Sequence, residues 1–228
     1  MSVRANEANS PATSLRERKK AKTRALLIEV SQRLFAERGY DGTTLDDICD
    51  EVEITPQTLL RYFESKAHLA LAPARDPQDR LVDLLEDPER EAGVGGDTIE
   101  LWRRFLEREG DAVDTPTGLT TTYLQNLRAF RRWTDRDPVL IAASSDLERA
   151  LRDALAAALA ADRGAPTDDL HSMLIAALLV AGRGAVWDRW LDRPPEGGSL
   201  TGDLLSVVDY AVERLPRSSA RRLLRLVE

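Results

Sequence analysis

At 228 residues, the chain is long enough for two small domains or one larger one, and either size can bury a core. Hydrophobic residues are 43% and charged residues 31%, the balance of a soluble protein, and the single cysteine, Cys49, excludes an internal disulfide and points to a reducing cytosol. A net charge of -7 argues, taken alone, against a nucleic-acid partner. The longest apolar run, Leu174 to Gly182, is too short to span a bilayer. Residues 1–14 lack the apolar segment of a signal peptide, so the expectation is a cytoplasmic protein with no membrane partner.

The distribution of charge qualifies its sum. Residues 1–75 hold 12 Lys and Arg against 11 Asp and Glu, whereas residues 76–228 hold 20 against 28. All four lysines lie in the first part, and Arg16 to Arg24 is strongly basic, an asymmetry that hints at a nucleic-acid-binding end. In chain order, residues 1–15 read as a disordered polar arm. Leu26, Leu27, Val30, Leu34 and Phe35 then form one helical stripe that Gly39 stops. Thr44 is placed to cap a short helix with Asp47 as its acidic partner three residues on. Ile54 sits in a turn, and Thr55 caps the next helix, 55–63, with Pro56 at its first position. Ser65 caps a further helix that is expected to end near Pro73. Two short helices joined by so tight a turn match the helix-turn-helix unit. Beyond Pro73, loops at 87–96, 114–118, 135–138, 164–167 and 194–199 separate helices near 97–112, 119–133, 139–162, 168–192 and 202–215. The chain reads as all-α, a helix-turn-helix three-helix domain over 16–72 followed by a helical domain over 73–228.

On helix 55–63, Leu59 and Phe63 are four apart and make the buried face, which leaves Gln57, Thr58, Arg61 and Tyr62 on the remaining circumference. Gln suits adenine N6 and N7, Arg suits guanine O6 and N7, and Thr offers a hydroxyl to phosphate or a methyl to thymine. Lys66 stands in the first turn of the following helix, where the helix dipole disfavours a cation, and a phosphate opposite it would relieve that conflict. Cys49 reads as a small buried hydrophobe, and His68 and His171 lack partners at metal spacing, so no metal and no cofactor are expected. No catalytic triad, phosphate loop or metal motif is present, so the chain does not read as an enzyme.

The segments LFAERGYDGTTLDDI (Leu34 to Ile48) and ITPQTLLRYFESKAHL (Ile54 to Leu69) resemble, without gaps, the DNA-binding domain of the TetR family of transcriptional regulators. The resemblance covers about a quarter of the chain. It implies that 55–63 is the recognition helix, with Thr44, Thr55, Tyr62 and Lys66 mainly on phosphates and Pro56, Gln57, Thr58 and Arg61 nearer base edges. It further implies a repressor that leaves a palindromic double-stranded operator when a small-molecule effector binds the C-terminal domain. A regulator without effector, controlled by a protein partner, is the alternative. Two positions depart from the family's pattern. Glu53 stands where Gly is usual in the inter-helix turn, and Leu60 stands where Tyr is common.

The resemblance implies that the C-terminal domain dimerises. Helix 168–192 carries Leu170, Leu174, Leu178, Ala181 and Ala185 with small Ala176, Ala177, Gly182 and Gly184, and helix 202–215 carries Leu204, Leu205, Val208, Ala211 and Val212. Two such helices from each subunit would make a four-helix homodimer interface. Trp102, Phe105 and Tyr123 are the candidates for lining a largely apolar effector pocket.

Overall fold

The computed structural model describes residues 15–86, 97–115 and 120–214; side chains at 120–123, 125, 126, 129 and 214 lie outside the description. Most of the expected N-terminal arm (1–14) and the side chain of Tyr123 therefore fall outside the described residues. Among the described residues there is no strand, and the helices are α1 (Leu15–Arg38), α2 (Leu45–Val52), α3 (Pro56–Leu60), α4 (Lys66–Glu86), α5 (Thr98–Asp114), α6 (Thr120–Thr134), α7 (Pro138–Asp162), α8 (Leu170–Asp192) and α9 (Leu200–Arg214). The chain divides into two compact units between Ala72 and Pro73.

In the first unit, the inward stripe of α1 is Leu27, Val30, Ser31, Leu34 and Phe35. Leu26, which the periodicity alone assigns to that stripe, is 44% exposed, and the buried position one turn from Leu27 goes to Ser31 instead. Ser31 tolerates burial because its hydroxyl donates to the carbonyl of Ile28 at 2.9 Å. Ile48 and Cys49 of α2, Leu59 of α3, Phe63, and Leu69 with Ala70 of α4 complete the buried apolar set. Gln32 donates from Nε2 to the carbonyl of Ala70 at 3.1 Å and so ties α1 to α4.

The expectation that the fourth helix ends near Pro73 is overturned. α4 runs on to Glu86 with Pro73 and Pro77 inside it. Each proline removes one N–H from the ladder, so the carbonyls of Leu69 and Pro73 lose their helical partners. Burial on both sides outweighs that loss: Leu69, Ala70, Leu71 and Ala72 precede the prolines, and Leu81 and Leu85 follow them.

The second unit is a helical bundle whose core gathers Leu81, Trp102, Leu106, Leu155, Leu179, Leu204 and their neighbours. α9 lies antiparallel to α5. Asp114, at the end of α5, accepts from the backbone N–H groups of Leu200 and Thr201 at 2.7 and 2.9 Å, whereas Arg103, three turns back, pairs with Asp209. Two glycines permit this close packing. A Cβ on Gly110 would meet the backbone of Thr201 at 2.6 Å, and one on Gly182 would meet Val207 at 2.4 Å. Between α5 and α8, Arg183 donates to both carboxylate oxygens of Glu109 while its guanidinium lies 5.5 Å from the Phe105 ring centroid. Both partners are largely buried, and paired burial of this kind makes removal of either one costly.

The structure divides the expected dimer stripes. On α8, Leu170, Leu174 and Leu178 are 67%, 61% and 37% exposed, and Ala181 and Ala185 are exposed too. On α9, by contrast, Leu204, Val208 and Ala211 are buried inside the chain, and Ala176 of α8 is buried as well. The antiparallel contact with α5 and the contact with α8 claim that side of α9 and leave Tyr210 and Val212 outward. α8 is also the one described helix long and apolar enough to cross a membrane by length and composition alone.

Candidate nucleic-acid interface

The site is built from the α2–turn–α3 hairpin. Thr44 and Asp47 close a capping box: the Thr44 hydroxyl oxygen accepts from the Asp47 N–H at 3.1 Å, and the Thr44 N–H donates to Asp47 Oδ2 at 2.7 Å. Hydrogen bonds from the Thr44 hydroxyl and backbone hold the Asp47 carboxyl below the usual carboxylate range. The Thr44 hydroxyl hydrogen is therefore directed at a carboxylate and not outward.

α2 ends in a Schellman motif. Ile54 N–H donates to the carbonyl of Cys49 at 3.0 Å, and Glu53 N–H donates to that of Asp50 at 3.3 Å. The residue in the left-handed position is Glu53, with φ +56° and ψ +44°, the one non-glycine with positive φ among the described residues. The departure seen in the sequence is thus a real backbone conflict, a side-chain-bearing residue where glycine is the unstrained choice.

α3 is shorter than the sequence suggests. It is regular only over Pro56–Leu60, and Arg61 caps it. Thr55 begins it, accepting from the Thr58 N–H at 3.2 Å and sharing a 2.9 Å hydrogen bond between the two hydroxyls. Phe63 N–H still reaches the carbonyl of Leu59 at 3.0 Å, so the helical path persists past the cap. Leu59 and Phe63 are fully buried and anchor the element. Thr55, Pro56, Gln57, Leu60 and Arg61 are exposed, and Thr58 and Tyr62 are half-buried. The residues named for DNA contact therefore share one outward edge, apart from Thr44 and Lys66.

Lys66 has a different surrounding from the one its position suggests. Its ammonium donates to the carbonyls of Tyr40 and Thr43 at 2.9 and 3.2 Å and lies 4.1 Å from the Tyr40 ring centroid. The cation at the start of α4 is thus satisfied within the fold, fastening the α1–α2 turn to α4, and no phosphate is needed to account for it. Sequence reading missed this because the partners lie 26 and 23 residues away. It likewise missed Arg24, whose guanidinium lies 4.8 Å from the Phe63 ring centroid.

Acidic residues crowd this hairpin, yet two of them are paired: Arg33 with Glu51 at 2.7 Å and Arg38 with Asp47 at 3.6 Å. Cys49 is 2% exposed, and burial, together with Asp46 and Asp50, pushes its thiol up, which disfavours the reactive thiolate. Among the described residues no group of His, Cys, Asp and Glu could hold a metal ion.

In the second unit, Trp102 is fully buried and stacks on Phe105 with ring centroids 5.3 Å apart. Neither lines the open groove of about 640 Å³ between α4 and α7, whose walls include Val82, Leu85, Ala154 and Ala158. Among the described residues of this unit, three buried polar atoms have no hydrogen-bond partner: Trp102 Nε1, Gln78 Oε1 and His171 Nε2. Gln78 lies on the face of α4 that also carries Leu81 and Leu85.

A capped hairpin of two short helices with an outward polar edge defines a helix-turn-helix DNA-binding protein. Comparison with known proteins agrees. Residues 27–72 match the family model described as bacterial regulatory proteins, tetR family, and residues 127–216 match the one described as the MftR C-terminal domain. The transcriptional regulator TcmR of Streptomyces glaucescens is 30% identical over 72% of this chain and 73% of its own length. The transcriptional repressor AcnR of Corynebacterium diphtheriae is 30% identical over 85% and 90%. The chain belongs to the TetR family of transcriptional regulators; it is a DNA-binding regulator and not an enzyme. Its fold is shared with Thermus thermophilus FadR in complex with lauroyl-CoA (TM-score 0.53, 21% identity, 86% of this chain and 97% of that one). It is shared too with SmeT in its triclosan complex (TM-score 0.58, 20% identity, 84% and 90%).

Proposed function

We propose that the protein is a homodimeric repressor that reads a palindromic operator with the exposed edge of α3 and releases it when a small-molecule effector enters the second unit. The observation that carries the reading is the α3 edge itself. Leu59 and Phe63 fix the element in the core while Gln57 and Arg61, the two side chains suited to bidentate base contacts, stand exposed beside Thr55 and Pro56. On this reading Thr55 and Tyr62 contact phosphates at the same edge, with Thr58 nearer the bases beside Gln57 and Arg61. Thr44 serves first as the cap of α2. Lys66 has one N–H left over for a phosphate after its two carbonyls.

The exposed face of α8 supports the dimer. Leu170, Met173, Leu174 and Leu178 make one contiguous apolar face that no described residue of the chain covers, with Tyr210 and Val212 of α9 as further exposed apolar groups. Two copies of that face, brought together about a two-fold axis, would bury it and supply the paired half-site reading a palindrome requires. The effector reading is supported by the unpartnered Trp102 Nε1 and Gln78 Oε1, a buried donor and a buried acceptor in an otherwise apolar core. It is supported too by the ligands of the two structural neighbours, one an acyl-CoA and one triclosan. Such an effector is largely apolar with a hydrogen-bonding group.

The test is binding to the DNA upstream of the protein's own gene. Each bidentate contact is worth about 1–3 kcal/mol, so Gln57→Ala and Arg61→Ala should each weaken operator binding about 5- to 150-fold and leave binding to random duplex nearly unchanged. Unchanged operator affinity in both variants overturns the assignment.

A further inference from the structure

The outward edge of α3 is made of two parallel rows of side chains. At about 100° of turn per residue, positions four apart stack one above the other, so Gln57 and Arg61 form a polar row and Pro56 and Leu60 an apolar row beside it. Leu59 and Phe63, both fully buried, fix the side that faces the core. Gln57 and Arg61 then point most directly outward, with Thr58 and Tyr62 flanking them on one side and Leu60 on the other.

The two flanks differ in chemistry. Thr58 and Tyr62 are half-buried and carry hydroxyls, whereas Leu60 is 49% exposed and purely apolar. It is the one large hydrophobic left exposed among the described residues between Thr44 and Lys66. Helix formation does not call for it, because Lys, Gln and Glu serve an exposed helical position about as well as Leu does. A leucine also has no hydrogen bond to offer a phosphate. On the base edges of the major groove, the one apolar group is the C5-methyl of thymine.

We propose that Leu60 is a specificity-determining residue that reads a thymine methyl, with the Pro56 ring extending the same apolar row. The proposal rests on the reading of α3 as the DNA-contacting element and adds to it a base that hydrogen bonding does not select. The polar row selects adenine through N6 and N7 or guanine through O6 and N7. The apolar row beside it selects thymine, on the base pair that Gln57 or Arg61 reads or on the next one.

A duplex selected from a random pool by the wild-type protein, with its thymines replaced one at a time by deoxyuridine, tests this. Deoxyuridine keeps the hydrogen-bonding edge and removes only the methyl. Burying one methyl is worth about fourfold in affinity, so the wild type should lose about fourfold at one thymine per half-site. Leu60→Ala should bind the thymine and uracil forms of that site equally, with a melting temperature close to that of the wild type because the position is exposed. Leu60→Gln, which keeps the side-chain length and the helix propensity, should do the same and takes the place of Leu60→Ala if that variant unfolds early. If the wild type loses nothing on any uracil form, Leu60 lies against the sugar–phosphate backbone and the proposal is overturned. A loss that persists undiminished in both variants assigns the methyl to another side chain and overturns it as well. Gln57→Ala on the same duplexes separates this failure from that of the underlying reading. Preference lost in Gln57→Ala with no uracil effect in the wild type removes the Leu60 assignment alone, and unchanged preference in Gln57→Ala removes the reading of α3 with it.

Discussion

Glu53→Gly isolates the effect of a single backbone torsion at the turn of the DNA-binding hairpin. Glu53 has φ +56° and ψ +44° at the left-handed position of the α2 Schellman motif. A residue with a Cβ in that region costs about 1–2 kcal/mol, and glycine removes this cost while adding about 0.5–1 kcal/mol of unfolded-state entropy. The net gain is about 0.5–1 kcal/mol, which for a chain of this size raises the melting temperature by about 1–4 °C. Glu53→Gln is the necessary control, because it removes the charge and keeps the Cβ. A carboxylate about 10 Å from a phosphate in water repels it by about 0.4 kcal/mol before screening, so both variants should tighten DNA binding by less than about twofold at 0.1 M salt. The assays are thermal unfolding followed by circular dichroism and fluorescence anisotropy on operator DNA. Stabilisation is predicted for Gly alone, and equal gains in affinity for Gly and Gln. If Gln raises the melting temperature as much as Gly, the cost lies in acidic crowding and not in the torsion, and the reasoning is refuted.

Lys66→Met should destabilise the protein by about 1–3 kcal/mol, because the carbonyls of Tyr40 and Thr43 lose a charged donor; an unchanged melting temperature with weakened DNA binding would make Lys66 a phosphate contact first. Gln78→Leu should stabilise the protein without effector by about 1–3 kcal/mol, since it removes an unpartnered buried amide oxygen, and should abolish whatever effector response the wild type shows. Asp114→Ala should cost about 1–2 kcal/mol in calorimetry, as it removes the acceptor for Leu200 and Thr201 at the start of α9. Burial raises the Asp114 carboxyl, but hydrogen bonds from Ser199, Thr201 and Leu200 outweigh it and hold the carboxyl below its ordinary value. Its contribution is therefore fully present above about pH 4 and is lost as pH falls through the lowered folded value, so the gap between wild type and Asp114→Ala should close in acid. Leu174→Glu should convert a dimer to a monomer in analytical ultracentrifugation, and a variant that stays dimeric would place the interface elsewhere.

Local chemistry was legible in the sequence, and long-range contacts were not. Thr44 with Asp47 and Thr55 with Pro56 announce their helix starts because capping acts over three residues, and Glu53 could be suspected because a tight turn has one left-handed position. Helix α4 was misjudged because proline's local penalty is visible in the sequence, whereas the burial of Leu81 and Leu85 that carries the helix past Pro73 and Pro77 is a property of the folded bundle. The same reason applies to Leu204, Val208 and Ala211. Their spacing marks an apolar face, but only the antiparallel contact with α5 shows that the face is covered within the chain. Trp102 was expected to line an effector pocket; in the fold it is buried in the core, and its unpartnered Nε1 becomes visible only once its neighbours are in place.

The central claim is that α3 reads DNA and that two copies read it together. Selection of bound sequences from a pool of random duplexes by the wild-type protein and by Gln57→Ala tests it most directly. The account predicts that the wild type enriches two inverted half-sites centred about one helical turn, or a whole number of turns, apart, and that Gln57→Ala loses preference at one symmetric pair of positions while keeping the spacing. Enrichment of an asymmetric site, or the same symmetric site with undiminished preference in Gln57→Ala, would contradict it.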